Sequence, residues 1–249
     1  MTSFVDRYAD MSAAYAKFRP RYPLALFDAV AGWCERHDGC WDCGTGSGQA
    51  ATALARHFER VVATDASEQQ LAHAEAHPRV EYRCESAAEC SLPDGSVDLV
   101  TAASSVHWMD LARFYAEVRR VLRPGGVVAL WTYGVVPQVS PEVDEVLHTY
   151  ANAVLGPYQP PELAVVHSGY RELWFPFDEL SCPPFAIDTH WTLADLVGAI
   201  ETWSAAGRYR RERGTPPSLE VLEPLRAAWG DPERRRPVHL PLHLRIGRR

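Results

Sequence analysis

The chain has 249 residues, 25 basic and 32 acidic, for a formal charge of −7. With 47% apolar and 23% charged residues it can bury a sizeable core and is too apolar for a disordered chain. The acidic balance argues against a general nucleic-acid binder, and no apolar stretch approaches the roughly 20 residues that cross a bilayer. Met1 to Arg7 lack a basic segment followed by an apolar one, so no secretory signal is expected. The six cysteines are too few for a disulfide scaffold, and free thiols in a reducing cytoplasm are the expectation.

In chain order, residues 1–23 end in Phe18-Arg19-Pro20-Arg21-Tyr22-Pro23, a proline-punctuated segment rich in aromatics. Strands are expected at Val61–Thr64, Val97–Thr101 and Val127–Trp131. Helix patterns run from Ala50 to Phe58, Glu68 to Ala76 and Leu111 to Leu122, and Pro124-Gly125-Gly126 turns the chain into the strand that follows. Strands alternating with helices imply parallel pairing through right-handed crossovers, hence a doubly wound α/β sheet over 24–133. Residues 134–184 carry one helix pattern, Glu142 to Leu155, and then many prolines, so an irregular cap is expected. Residues 185–249 read as strand, helix, helix, strand: Phe185–Trp191, Leu193–Arg213, Ser218–Trp229 and Val238–Ile246. The last segment alternates apolar and polar residues, as an antiparallel edge strand covered on one face does. The whole reads as a single domain.

The most informative stretch is Asp42-Cys43-Gly44-Thr45-Gly46-Ser47-Gly48. Glycines at alternate positions allow a sharp turn and a close approach to a ligand. A dinucleotide fingerprint asks for glycine at the first, third and sixth positions. Counting from Gly44, the sixth is Gln49, which argues against a nicotinamide-dependent reductase. The leading acid, Asp42, repels a pyrophosphate and suits a cation such as the ammonium of an amino-acid group. Asp65 stands at the tip of the next strand, where a carboxylate accepts from both hydroxyls of a ribose. The alternative is that Asp65, or Ser67, merely caps the helix that follows.

With these residues the chain resembles the class I S-adenosylmethionine-dependent methyltransferases. Glu85 to Val100 is similar to the family's adenine-site loop and fourth strand. Ser104-Ser105-Val106-His107-Trp108-Met109-Asp110 is similar to the stretch after that strand, and Val121-Leu122-Arg123-Pro124-Gly125-Gly126 to the turn before the fifth. Tyr15, Phe18, Arg19, Pro20, Tyr22, Pro23, Trp203, Ser204, Arg208 and Tyr209 resemble a small-molecule subgroup of methyltransferase type 11 that includes trans-aconitate methyltransferase-like proteins. The resemblance implies a mostly parallel, seven-stranded Rossmann-like sheet with an antiparallel edge strand and a small cap. It implies an S-adenosylmethionine cofactor and methyl transfer to a small molecule; the subgroup match carries over no substrate, and a carboxylate or a hydroxyl is the acceptor expected. Asp42, Gly44, Thr45, Gly46 and Gly48 would hold the methionine part, Asp65 the ribose, and Ala66, Ser86 and Ala87 the adenine. Ala103 and Ser104 would lie near the sulfonium, and residues 1–23 would act as a lid. Many relatives carry an acid at the Ser86 position, and Gly39-Cys40-Trp41 replaces their usual aliphatic run. A non-catalytic protein that binds the same cofactor is the alternative from another class.

His107 is the candidate catalytic residue, as a general base; its bland alternative is a structural histidine packed on Trp108. Arg19 fits either a carboxylate clamp on the substrate or a salt bridge that locks the lid. Tyr15, Tyr22, Trp108, Trp131, Tyr133 and Trp203 complete the candidate substrate pocket, with Tyr8 and Phe18 as further aromatics. Cys40-Trp41-Asp42-Cys43 has redox or zinc spacing, but it has no second pair, and on a strand the two thiols point to opposite faces. No metal site is expected. The arginine clusters at 208–213 and 234–236 read as solvated faces.

Overall fold

A computed structural model describes residues 18–249. Tyr8, Tyr15 and the rest of segment 1–17 lie outside the described residues. Strands β1 (Gly39–Cys43), β2 (Arg60–Asp65), β3 (Val80–Cys84), β4 (Val97–Ala103) and β5 (Leu122–Tyr133) pair in parallel in the order β3-β2-β1-β4-β5. Their carboxyl ends form one rim. Asp42 stands opposite Ala63 on one side and Thr101 on the other, Asp65 opposite Cys84, and Ala103 opposite Trp131. This order puts the change of winding direction between β1 and β4, where open α/β sheets bind ligands.

The expected antiparallel strand, β8 (Arg236–Arg248), is present, but it is interior to the sheet and not at its edge. It pairs with β5 on one side, and with β6 (Asp178–Glu179) and β7 (Phe185–Trp191) on the other. Leu242 faces both Tyr133 and Phe185. Alternation reports which faces of a strand are covered, and it is blind to whether the strand has one neighbour or two. With the two-residue β6 the sheet counts eight strands.

The described helices are α1 (Leu24–Gly32), α2 (Gln49–Leu54), α3 (Glu68–Leu71), α4 (Leu111–Val121), α5 (Pro141–Thr149), α6 (Ala164–His167), α7 (Leu193–Glu201), α8 (Ser204–Arg213) and α9 (Leu222–Trp229). Helix α4 is strongly amphipathic, with Phe114, Tyr115, Val118 and Val121 buried. It starts at Asp110, whose carboxylate accepts from Arg113 N–H at 3.2 Å. The pattern from Leu193 to Arg213 resolves into two helices, α7 and α8, with Thr202 and Trp203 between them. None of the described helices is long and apolar enough to cross a membrane.

Two cores flank the sheet. One gathers Leu26, Phe27, Leu54, Phe58, Trp131 and Trp229, and the other Trp41, Phe114, Tyr115, Val118 and Tyr170. Cys40 belongs to the first and Cys43 to the second, so the paired cysteines do point to opposite faces. Burial pushes both thiols well above their ordinary range, which makes them inert packing groups. Trp41 tolerates its central position because its indole N–H donates to Thr64 Oγ1 at 2.9 Å.

Candidate active site

The glycine loop leaves β1 and crosses to the end of β2. The Gly44 and Thr45 N–H groups both donate to the Thr64 carbonyl, at 2.8 and 3.0 Å. Gly44, Gly46 and Gly48 all have positive φ, at 66°, 56° and 82°. Packing explains two of them. A Cβ on Gly44 would lie 2.6 Å from Ser105, and one on Gly48 would lie 2.2 Å from the Tyr82 hydroxyl. Gly46 is different: its nearest obstacle would be Gln70 Oε1 at 3.8 Å. The loop therefore turns an open, Cβ-free backbone toward the rim at Gly46, a cradle that a ligand can approach closely.

Two acids flank that cradle. Asp42 is fully buried and accepts from the Thr45 hydroxyl at 2.6 Å and the Thr101 hydroxyl at 2.7 Å. Burial pushes its carboxyl up to about 6 against the pull of the two hydroxyls, and Asp65 pushes in the same direction. An ionised carboxylate has about four acceptor positions, so two threonine bonds leave it capacity for a cation. Asp65 Oδ2 accepts from Gly46 N–H at 2.8 Å and its Oδ1 from Ser67 N–H at 2.9 Å. The cap of α3 is Ser67, whose hydroxyl accepts from Gln70 N–H at 3.2 Å. Asp65 is thus not the helix cap but the buttress of the glycine loop.

Beside Asp65, Ala66 is exposed at the rim, and Ser86 and Ala87 lie in the turn after β3. The Ser86 hydroxyl accepts from Ala88 N–H at 3.2 Å. This turn is anchored from α4. Glu117 Oε1 accepts from Cys90 N–H at 2.7 Å, while Arg120 bonds Glu117, the Leu92 carbonyl and Asp94. Nothing local in the sequence signals these partners, or Thr101 as the second threonine on Asp42; all are long-range contacts made by the fold.

On the other side of the rim lies a cavity of roughly 610 Å³, its solvent mouth included. Arg19, Ser104, His107, Tyr133 and Trp203 line it, with Thr132, Val135, Leu155, Gln159, Leu163, Val166, Ser204 and Ala205 completing the wall. Ser104 has a φ of 51°, strained for a residue with a Cβ, and donates its N–H to the Trp131 carbonyl at 2.7 Å. Tyr22 reaches over to the Ser104 hydroxyl at 3.3 Å. Arg19 donates to the Tyr133 hydroxyl at 2.8 Å and to the Thr202 carbonyl at 3.1 Å. His107 Nδ1 meets the Tyr170 hydroxyl at 2.9 Å, and its ring packs on Trp108 with centroids 4.6 Å apart.

Three described substrate candidates, Tyr22, Trp108 and Trp131, are not among the lining residues, although the Tyr22 hydroxyl reaches Ser104. Trp131 is fully buried beneath Tyr22 and Phe27, so it supports the cavity wall without lining it. A strand end looks exposed in sequence, but α1 and the aromatic segment before it cover this one. Trp108 backs His107 and is not among the described lining residues. Tyr15 lies outside the described residues.

Comparison with known proteins agrees with this geometry. Residues 41–130 match the family described as "Methyltransferase domain". A Dictyostelium discoideum protein named as a methyltransferase is 31% identical over 231 residues, covering 92% of this chain and 88% of its own. A methyltransferase of Aspergillus aculeatus is 30% identical over 247 residues, covering 92% and 76%. A solved structure from Anaeromyxobacter dehalogenans, described as a type II methyltransferase, has a TM-score of 0.85 at 47% identity, covering 93% of this chain and 98% of that one. A sheet with this strand order, a glycine loop after its first strand and an acid at the tip of its second define a nucleoside-binding α/β enzyme. The chain belongs to the class I S-adenosylmethionine-dependent methyltransferases.

Proposed function

We propose that this enzyme methylates a small molecule bound in the cavity beside Ser104, at a carboxylate or a hydroxyl. The observation that carries this reading is the character of the cavity wall. The basic groups among its described lining residues are Arg19 and His107. Such a wall attracts an anionic or oxygen-rich acceptor and disfavours an ammonium.

The residues at the rim suit the cofactor. Asp42 and the backbone of Gly44 to Gly48 would hold its amino-acid part, Asp65 its ribose, and Ala66, Ser86 and Ala87 its adenine. Ala103 and Ser104 would lie between cofactor and acceptor. When bound, S-adenosylmethionine supplies a methyl group already activated on a sulfonium. The chain's own contribution is then positioning and exclusion of water, which can supply roughly 7–11 kcal/mol of the barrier. Arg19, Tyr133 and Trp203 would orient the acceptor, and Tyr22 and Arg19 would close the segment over the rim.

The test is turnover. Purified protein is incubated with S-adenosylmethionine and matched sets of carboxylic acids, alcohols and amines, and S-adenosylhomocysteine is measured. Turnover confined to acids or alcohols supports the reading. Turnover confined to amines, or none with any oxygen acceptor, contradicts it.

A further inference from the structure

Among the described residues only Ser104 and Tyr170 combine a side chain with positive φ. Both converge on the acceptor cavity: Ser104 lines it, and Tyr170 holds His107, which lines it. Ser104 is half-buried just after β4, where the bond from its N–H to the Trp131 carbonyl holds the left-handed backbone. Tyr170 is left-handed where the chain turns after α6, the Gly169 and Tyr170 N–H groups closing the helix end on the Val166 and Val165 carbonyls.

The position of Tyr170 is over-determined. It is fully buried in the second core, 63 residues along the chain from His107. Its φ is 60°, and the preceding Gly169 has a φ of 61°, with a Cβ there falling 2.7 Å from His243. The Tyr170 N–H donates to the Val165 carbonyl at 2.8 Å. Its own carbonyl accepts from Arg245 at 3.0 Å, and Arg245 is in turn paired with Glu179. Two left-handed residues and an anchored arginine thus deliver a phenolic hydroxyl to one nitrogen of one histidine.

We propose that Tyr170 is the positioning residue for His107 and fixes its tautomer, making His107 a hydrogen-bond donor to the acceptor through Nε2 and not a base. A phenolic O–H is a good donor, and its oxygen, conjugated with the ring, is a poor acceptor. The unprotonated nitrogen of an imidazole is a strong acceptor. Tyr170 therefore donates to Nδ1, and the proton of the neutral ring resides on Nε2. Trp108 packs against the imidazole, with ring centroids 4.6 Å apart. A donor at Nε2 grips an oxygen that arrives unprotonated, as a carboxylate does, and a carboxylate loses no proton on methylation. A hydroxyl acceptor would need the opposite tautomer. This inference rests on the cavity being the acceptor site, and it narrows the acceptor to the acid class.

The tautomer can be read without any substrate. Long-range proton–nitrogen spectra of the 15N-labelled protein, recorded above the histidine titration, assign which ring nitrogen carries hydrogen. The His107 signals are those that vanish in His107→Asn. The expected result is an unprotonated Nδ1 and a protonated Nε2 in the native protein, and a mixed or reversed pattern in Tyr170→Phe. A proton on Nδ1 in the native protein overturns the proposal even if Tyr170→Phe does not fold. An unchanged tautomer in a folded Tyr170→Phe overturns it as well. In turnover, Tyr170→Phe should lose about tenfold in kcat on an acid substrate, the worth of one hydrogen bond, and keep its affinity for S-adenosylhomocysteine. Failure of the acceptor-site reading shows itself separately, as absence of turnover with every acid while the tautomer is as expected.

Discussion

The Asp65 carboxylate accepts the Gly46 N–H at 2.8 Å, so the tip of β2 holds the middle of the glycine loop. A residue proposed to bind ribose therefore also shapes the cradle beside it. Asp65→Ala removes both functions. Hydrogen bonds to a charged group are worth about 1.5–3 kcal/mol, so affinity for S-adenosylhomocysteine should fall about tenfold or more while the fold persists. Calorimetric titration of native and variant protein checks this, and equal affinities would remove the ribose role.

Gly46 and Gly48 separate cofactor binding from folding. Alanine at Gly48 meets the Tyr82 hydroxyl at 2.2 Å and must displace it from the Glu75 carbonyl, to which it donates at 2.6 Å. Alanine at Gly46 meets nothing closer than 3.8 Å and costs only the left-handed backbone, about 1–2 kcal/mol. Gly48→Ala should lower Tm much more than Gly46→Ala. Gly46→Ala should keep most of its stability and lose affinity for the cofactor product. Thermal melts with and without S-adenosylhomocysteine read both effects together, and equal loss of Tm in the two variants would contradict the assignment.

Asp42 should cost stability where it works. Its carboxyl, ordinarily near 3.8, is pushed up to about 6 in the fold, chiefly by burial. A raised folded value means that the stability linked to this group is fully present below pH 3.8 and is lost as pH rises through about 6. The loss amounts to on the order of 3 kcal/mol at neutral pH. Asp42→Asn stays neutral, so it should melt higher than the native chain at neutral pH and gain little under acid conditions. It should also bind the cofactor more weakly, because a negative partner for the ammonium is gone. Melting curves across this pH range check the sign, and a variant less stable than native at every pH would show that the threonine bonds outweigh the burial.

Glu117 shows the opposite sign. Its hydrogen bonds with Arg120, aided by the Cys90 N–H, hold its carboxyl down at about 2 against an ordinary 4.5. The stability it contributes is present above 4.5 and is lost as pH falls through about 2. Glu117→Ala leaves the Cys90 N–H and the Arg120 guanidinium without this partner, and should cost about 3 kcal/mol at neutral pH. Urea unfolding measures it. A cost below about 1 kcal/mol would mean that the turn carrying Ser86 and Ala87 is held by other contacts.

The parts of this fold legible in sequence are those written in local chemistry. The run from Asp42 to Gly48 and the acid at Asp65 announce their site, because glycine spacing and a charge at a strand end are local facts. Cys40 and Cys43 announce their separation through the two-residue period of a strand. Strand β3 hides, because its exposed Glu81 and half-buried Arg83 break any apolar run. The break at Thr202 and Trp203 hides inside a continuous helical pattern; there Trp203 turns aside and lines the cavity. Trp131 looked like a pocket residue because nothing in its strand reveals that Phe27 and Tyr22 cover it. The grip of Tyr170 on His107 was beyond reach, since it is made by a left-handed turn in the irregular segment after β5.

The most direct test is a crystal structure of the enzyme grown with S-adenosylhomocysteine. The nucleoside should lie across the carboxyl rim of β1, β2 and β4, its ribose hydroxyls on Asp65, its amino group toward Asp42 and its sulfur facing the cavity beside Ser104. Density for the nucleoside at another place, with side chains filling the space above Gly46, would contradict the account.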